Sequence, residues 1–190
     1  MSADAEIGDG TVVWGLAQVR EGAVLGAECV VGRGAYIGAG VRIGDRVKVQ
    51  NLAQVYEPAV VGDGVFIGPG AILTNDEHPR AVRPDGSRVD AAHWQPVGVT
   101  LQHGCSVGAG AVCVAPVVVG AWAMVAAGAV VVHDVPEFAL VAGTPARRIG
   151  WVGPAGRRLH DEGEGRWRCP STGELFIESG GHLREAGEHD

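Results

Sequence analysis

A step of six residues runs through the first part of this chain without a miss. From Ile7 it meets Val13, Val19, Leu25, Val31, Ile37, Ile43, Val49, Val55, Val61, Ile67 and Leu73, and every one is aliphatic. Four residues after each of the first eleven comes a compact side chain, from Thr11, Ala17, Ala23 and Cys29 to Ala53, Ala59 and Ala71. Directly after the aliphatic residue, seven of the twelve positions are Gly. A period of six is neither the 3.6 of a helix nor the 2 of a lone strand. It fits a solenoid with three short strands per turn and six residues to each flat side. The aliphatic residue then fills the interior, and the compact one fits near a corner.

The period returns in a new phase at Leu101, Val107, Cys113, Val119, Val125 and Val131. Between the runs, residues 75–96 are polar, contain three Pro and shift the phase by four. They read as a loop thrown out of the solenoid. The predicted fold class is therefore all-β: a parallel β-helix of hexapeptide repeats over 1–136, with a loop insertion at 75–96 and a C-terminal extension at 137–190. Eighteen hexads make six coils, a prism roughly 29 Å tall at about 4.8 Å per stacked strand. In the extension, Pro145 suits the first turn of a short helix with Thr144 or Gly143 near the cap. RWRCPSTGELFIES reads as two strands joined by a Pro-Ser-Thr-Gly turn.

Composition agrees with a narrow interior. Aromatic residues are only 5% of the 190, while Gly numbers 31, with no Gly-X-Y period. A β-sandwich of ordinary width would use more rings and would not keep one step over twelve aliphatic residues. A net charge of −7 argues against a nucleic-acid backbone as partner. There is no 18-residue apolar run to suggest a membrane span. MSADAEIGDG is acidic and lacks an apolar h-region, so it does not read as a signal peptide. Cys29, Cys105, Cys113 and Cys169 show no metal-ligand spacing, and three of them fall in apolar repeats. Reduced, buried thiols and a cytoplasmic location are the expectation, with no metal.

A repeating scaffold has no chemistry of its own, so the irregular parts carry the functional expectation. Asn75 and Asp76 end a rung where the loop leaves, and Glu57 lies 18 residues earlier, at the same hexad position one coil before. A carboxylate stacked on a carboxamide, with Asp76 and His78 adjacent, can orient an amine and take its proton. Arg80, Arg83 and Arg88 in the loop can meet phosphate or carboxylate, and two Arg follow Gly143-Thr-Pro-Ala.

The stretch KVQNLAQVYEPAVVGDGVFIGPGAILTNDEHPRA, the later VGAGAVVVHDVPEFALVAGTPARRIGW and the turn RCPSTGELF together resemble one family. It is the hexapeptide-repeat nucleotide-sugar N-acetyltransferases that acetylate a 3-amino sugar. The nearest resemblance is to the UDP-2-acetamido-3-amino-2,3-dideoxyglucuronate N-acetyltransferases, with the dTDP-3-amino-3,6-dideoxyhexose N-acetyltransferases as relatives. The resemblance implies a left-handed β-helix, a homotrimer with sites between neighbouring prisms, and acetyl-CoA as donor. It implies catalytic roles for Asn75, Glu57, Asp76 and His78, with Asn75 nearest the reacting amine. It implies substrate contacts from Arg80, Arg83, Tyr56 and Gln50. It places CoA along Ala109, Ala127, Thr144, Arg147 and Arg148. One departure is visible: where the family often has Trp-His, this chain has Trp14-Gly15.

Two readings of other classes compete. A γ-type zinc carbonic anhydrase on the same fold needs three converging His, but His78, His93, His103 and His133 show no H-x4-H pair. A non-enzymatic scaffold has no need of the TND loop.

Overall fold

The computed structural model describes residues 2–90 and 94–187. Three parallel sheets run side by side along it. The first stacks Glu6–Ile7, Val24–Leu25, Arg42–Ile43, Val60–Val61, Val99–Leu101 and Val117–Val119. The second stacks Val12–Val13, Val30–Val31, Lys48–Val49, Phe66–Ile67, Ser106–Val107 and Met124–Val125, and continues into Ala139–Gly143 and Ala146–Trp151. The third stacks Gln18–Val19, Tyr36–Ile37, Gln54–Val55, Ile72–Leu73, Val112–Cys113 and Val130–Val131. Successive strands of the chain visit the three sheets in rotation. This is the hexapeptide-repeat left-handed β-helix, with six full coils and a partial seventh.

The register states the period directly. Glu6 pairs with Val24 and Ile7 with Leu25, a step of 18. Across the loop the step becomes 40, with Val61 on Leu101 and Leu73 on Cys113. The difference of 22 equals the length of 75–96, so the chain leaves the coil and re-enters at the same height. The loop folds back on itself: the Arg83 N–H donates to the Ser87 carbonyl at 2.8 Å and the Val89 N–H to the Ala81 carbonyl at 3.1 Å. It closes where the Val97 N–H donates to the Asn75 carbonyl at 3.1 Å.

From Val19 to Val131, the aliphatic and compact positions of both runs are buried, none of them more than 4% exposed. The Gly after an aliphatic residue answers close packing of coil on coil. A Cβ at Gly26 would lie 2.6 Å from the Gly44 carbonyl carbon, inside any allowed contact. Rings are excluded from the prism. The buried aromatics Phe138, Trp151 and Phe176 gather at the C-terminal end, with Phe138 and Phe176 at 5.6 Å between centroids.

The extension departs from expectation in one respect. No helix occurs among the described residues, and the short helix predicted at Pro145 is replaced by strand. Thr144 and Pro145 form the turn of a hairpin in which Ala146–Trp151 pairs antiparallel with Ala139–Gly143. A helix there would leave the backbone edge of the last second-sheet strand unpaired; the hairpin satisfies it. The two strands read from RWRCPSTGELFIES are present as Arg166–Arg168 and Leu175–Ser179. They form the middle of a four-stranded antiparallel sheet with His160–Gly163 and His182–Glu185.

Candidate functional site

Corner residues decide what this prism can do, because interior positions are fixed by packing. At the third position of a hexad, a polar side chain can reach back one coil and accept from a backbone N–H. Asp45 does so with the Ala27 N–H at 2.8 Å, Asp63 with the Asp45 N–H at 2.9 Å, and Asn51 with the Arg33 N–H at 2.9 Å. These three side chains are scaffold, each filling a need left by the ladder.

Glu57 and Asn75 hold the same hexad position on the corner between the third and first sheets, and they do something else. The pairing of Leu73 with Val55 sets Asn75 directly over Glu57. Neither side chain caps a backbone group. Glu57 Oε2 is buried without a hydrogen-bond partner among the described residues, pressed over Gly38, where any Cβ would collide with it. The Asn75 carboxamide also makes no hydrogen bond among the described residues, while Thr74 beside it accepts from the Ala115 N–H at 2.9 Å.

Asp76 continues the corner into the loop. One carboxylate oxygen accepts from the His78 N–H at 2.9 Å, and the other from the Trp94 indole N–H at 3.2 Å. Asp76, His78, Arg80, Trp94 and Val97 line a cleft of about 370 Å³. The His78 imidazole is exposed, 3.9 Å from the Glu77 carboxylate. Arg80 donates to the Pro79 carbonyl at 2.8 Å. Tyr56 packs at a tilt of 45° against Tyr36, at 5.2 Å between centroids. Arg83 sits apart, in the turn of the loop hairpin.

The corner between the second and third sheets carries the remaining candidates. Gln50 is there, in a cleft of about 300 Å³ with Trp14, Arg33 and Asn51. Above the neighbouring Asn51 in register come Pro69, Ala109 and Ala127, joined by N–H to carbonyl bonds of 2.9 Å from Gly110 to Pro69 and from Gly128 to Ala109. Thr144 tops the column at the hairpin turn, and Ala109, Ala127 and Thr144 are all exposed. The Arg147 side chain is exposed and, among the described residues, donates only to the neighbouring Ala146 carbonyl, at 2.9 Å.

Arg148 is differently engaged. It donates to Glu178 at 2.8 Å and lies 4.1 Å over the Trp151 ring. The other Glu178 oxygen accepts from the Trp151 and Trp167 indoles, each at 2.9 Å. Burial works against the Glu178 charge, yet the Arg148 bond and the indole bonds hold its pKa below the usual carboxylate range. This junction ties the hairpin to the terminal sheet.

The structure thus brings Asn75, Glu57, Tyr56, Asp76, His78 and Arg80 to one corner, and Gln50, Ala109, Ala127 and Thr144 to the next. Sequence reasoning missed Trp94 and Glu178. Trp94 lies 18 residues after Asp76, but the repeat is broken there, so the spacing carries no register. Among the described residues, no group of three His, Cys, Asp or Glu is placed to hold a metal ion. His93 lies outside the described residues.

Residues 4–39 and 40–75 each match the family model of the bacterial transferase hexapeptide, six repeats. The dTDP-3-amino-3,6-dideoxy-α-D-galactopyranose 3-N-acetyltransferase of Aneurinibacillus thermoaerophilus is 48% identical over 52 residues, 27% of this chain and 27% of the relative. Serine acetyltransferase 4 of Arabidopsis thaliana is 38% identical over 77 residues, 35% of this chain and 22% of the relative. The chain therefore spans about a quarter of the length of these curated relatives. Among solved structures, a variant of the N-acyltransferase AntD from Bacillus cereus, in complex with dTDP-4-amino-4,6-dideoxyglucose and coenzyme A, superposes with a TM-score of 0.66. The identity is 18%, and the match covers 78% of this chain and 83% of that one, a likeness of fold.

Proposed function

We propose that this protein transfers an acetyl group from acetyl-CoA to the amine of a nucleotide-linked amino sugar. The acceptor we favour is the 3-amino group of a UDP-2-acetamido-3-amino-2,3-dideoxyglucuronate-like sugar. The observation that carries this reading is the pair Glu57 and Asn75. Among the described residues, Glu57 Oε2 and the Asn75 carboxamide have no hydrogen-bond partner, at a corner position that elsewhere serves the scaffold. A pure scaffold has no use for a buried carboxylate oxygen without a donor, which costs free energy. The A. thermoaerophilus relative, named for acetylating a dTDP-3-amino sugar, supports the reaction type and favours a dTDP-linked sugar as the second reading.

The chemistry asked of the protein is modest. The neutral sugar amine attacks the thioester carbonyl carbon, the C–N bond forms, and the C–S bond breaks. Asn75 and Glu57 hold the amine in line, which converts a bimolecular encounter into a positioned one. The Asn75 carboxamide can accept from the amine and donate to the developing oxyanion at once. The departing thiolate takes the proton, so Glu57 orients and Asp76, anchored by Trp94, shapes the sugar side.

The donor column and the acceptor corner stand on different corners of one prism, one sheet face apart. A hexad spans at most about 20 Å. We place the complete site between copies, with the acceptor corner of one chain facing the donor column of the next in a cytoplasmic homotrimer. The test is release of free thiol from acetyl-CoA against a panel of UDP- and dTDP-linked amino sugars, with mixed variants as a second arm. Asn75→Ala and Arg147→Ala chains, each impaired alone, should regain activity when mixed. No thiol release with any amino sugar would sink the reaction; no recovery on mixing would sink the shared site.

A further inference from the structure

The hairpin that tops the donor column is only lightly tied to the prism. Its parallel ladder to Met124–Val125 holds Leu140 and Val141. The Ala126 N–H adds one bond, to the Val141 carbonyl at 2.9 Å. Beyond Val141 the chain pairs with itself, Ala142 with Arg147 and Gly143 with Ala146, around the turn at Thr144 and Pro145. A two-stranded hairpin is marginal on its own in water, so side chains outside the ladder must set where this tip points. Resting on the acetyltransferase reading, we propose that Glu178 is a positioning residue of the donor site: through Arg148 it fixes the hairpin so that Arg147 meets a phosphate of the coenzyme.

Register divides the two arginines between opposite faces. Residues opposite each other in an antiparallel pair project on the same side, and neighbours along a strand project on opposite sides. Arg148 stands opposite Val141, which is 5% exposed and points into the prism. Arg148 is therefore on the inner face, and Arg147, opposite Ala142, is on the outer one. The register shift falls between Leu140 and Val141, so it leaves this alternation intact. Holding Arg148 inward turns Arg147 out over the corner that carries Ala109 and Ala127.

Glu178 does the holding. One of its oxygens accepts from Arg148 at 2.8 Å, and the other from the Trp151 and Trp167 indoles, each at 2.9 Å. Trp151 is fully buried, and Arg148 lies 4.1 Å over its ring. The Glu178 backbone is fixed as well, its N–H donating to the Gly165 carbonyl at 2.7 Å. A surface ion pair between two free side chains holds little. Here two indoles immobilise the acceptor, and the ring of Trp151 supports the guanidinium, so Arg148 has one defined position. Arg147, among the described residues, donates only to the Ala146 carbonyl. Its guanidinium keeps donors for a phosphate.

The experiment titrates the full-length protein with CoA by calorimetry, using wild type, Glu178→Gln, Arg147→Ala and the double variant, each below its melting transition. Glu178→Gln sets an NH₂ against groups that donate, and it should weaken CoA about tenfold. The double variant should bind no more weakly than Arg147→Ala alone, because nothing is left to position. In turnover, Glu178→Gln should raise the KM for acetyl-CoA and leave kcat unchanged. Its turnover of S-acetylpantetheine, a thioester donor without phosphates, should match the wild type. Trp167→Phe removes one donor to Glu178 and keeps a ring. It should weaken CoA about threefold, again only where Arg147 is present, and it decides the matter should Glu178→Gln fail to fold. A folded Glu178→Gln protein with wild-type CoA affinity overturns the inference and leaves Glu178 a tie of the terminal sheet. So do losses that multiply in the double variant, or an equal loss with S-acetylpantetheine. If wild-type protein acetylates the sugar while Glu178→Gln keeps its CoA affinity, the positioning role fails and the acetyltransferase reading stands. If wild-type protein binds no CoA, both fail.

Discussion

Asn51 and Asn75 stand at the same third position of their hexads, yet only Asn51 serves the scaffold. Its carbonyl oxygen accepts from the Arg33 N–H at 2.9 Å, while the Asn75 carboxamide, set over Glu57, makes no such bond. The difference arises from what lies one coil back. Under Asn75 is a residue whose own carboxylate presses over Gly38. The loop leaving at Asp76 then opens the corner to a ligand.

Scaffold caps and site residues should separate under mutation. Asp45→Ala removes the acceptor of the part-buried Ala27 N–H. It should cost about 1 kcal/mol of stability, read as a lower denaturant midpoint, and leave turnover per folded protein unchanged. A large loss of turnover with unchanged midpoint would mean that the corner ladder does not divide in this way.

Glu57→Gln keeps the shape and removes the charge. If the thiolate is the final proton acceptor, this variant should lower the kcat plateau less than Asn75→Ala does and leave the shape of the pH profile intact. Disappearance of an ionisation from the acidic limb of kcat/KM would instead make Glu57 the base.

Arg147 and Arg148 are neighbours with opposite expectations. Arg148→Ala breaks the bond to Glu178 and the stack on Trp151, so it should lower Tm by loosening the terminal sheet. Arg147→Ala breaks nothing beyond a bond to Ala146 and should raise the Kd for CoA without moving Tm. Calorimetric titration beside thermal melts distinguishes them. Replacing Arg157 and Arg158 should affect CoA less than replacing Arg147.

Stability should fall at alkaline pH. Burial pushes the Cys105 and Cys113 thiols up to about 12, from an ordinary value of 9.0. Above 9.0 the unfolded chain releases these protons while the folded chain keeps them. The unfolded state then binds fewer protons, and unfolding becomes easier as pH rises toward 12. Cys105→Ala with Cys113→Val, residues the repeat accepts at those positions, should flatten the decline. Melting temperatures that do not respond to the double change would contradict this cause.

The coil was legible because it writes itself into the chain. Each aliphatic residue from Ile7 to Leu73 meets the same neighbours as the last, so one local pattern repeats and the period is the fold. The break at 75–96 was legible for the same reason, as an interruption of a regular phase. What lies beyond the period was not. The strand at Ala146–Trp151 depends on a sheet edge that only the assembled prism presents, so local cap and Pro signals pointed to helix. Asp76 holding Trp94, and Glu178 holding Arg148, join segments with no shared period, and nothing in their spacing announces them. At the candidate site, the pairing of Asn75 with Glu57 could be read from the step of 18. That both side chains stay unengaged could not, since Asn51 and Asp45 look alike in sequence and are caps.

The most direct measurement is turnover of acetyl-CoA with a nucleotide-linked 3-amino sugar by wild-type and Asn75→Ala protein at matched folded concentration. The account predicts an N-acetylated sugar nucleotide from the wild type, and a kcat lower by about 10²- to 10³-fold in the variant, the cost of removing one orienting or oxyanion donor. Circular dichroism and sedimentation should be unchanged. An Asn75→Ala protein that acetylates the sugar at the wild-type rate would contradict the account, because the reacting amine would then lie elsewhere.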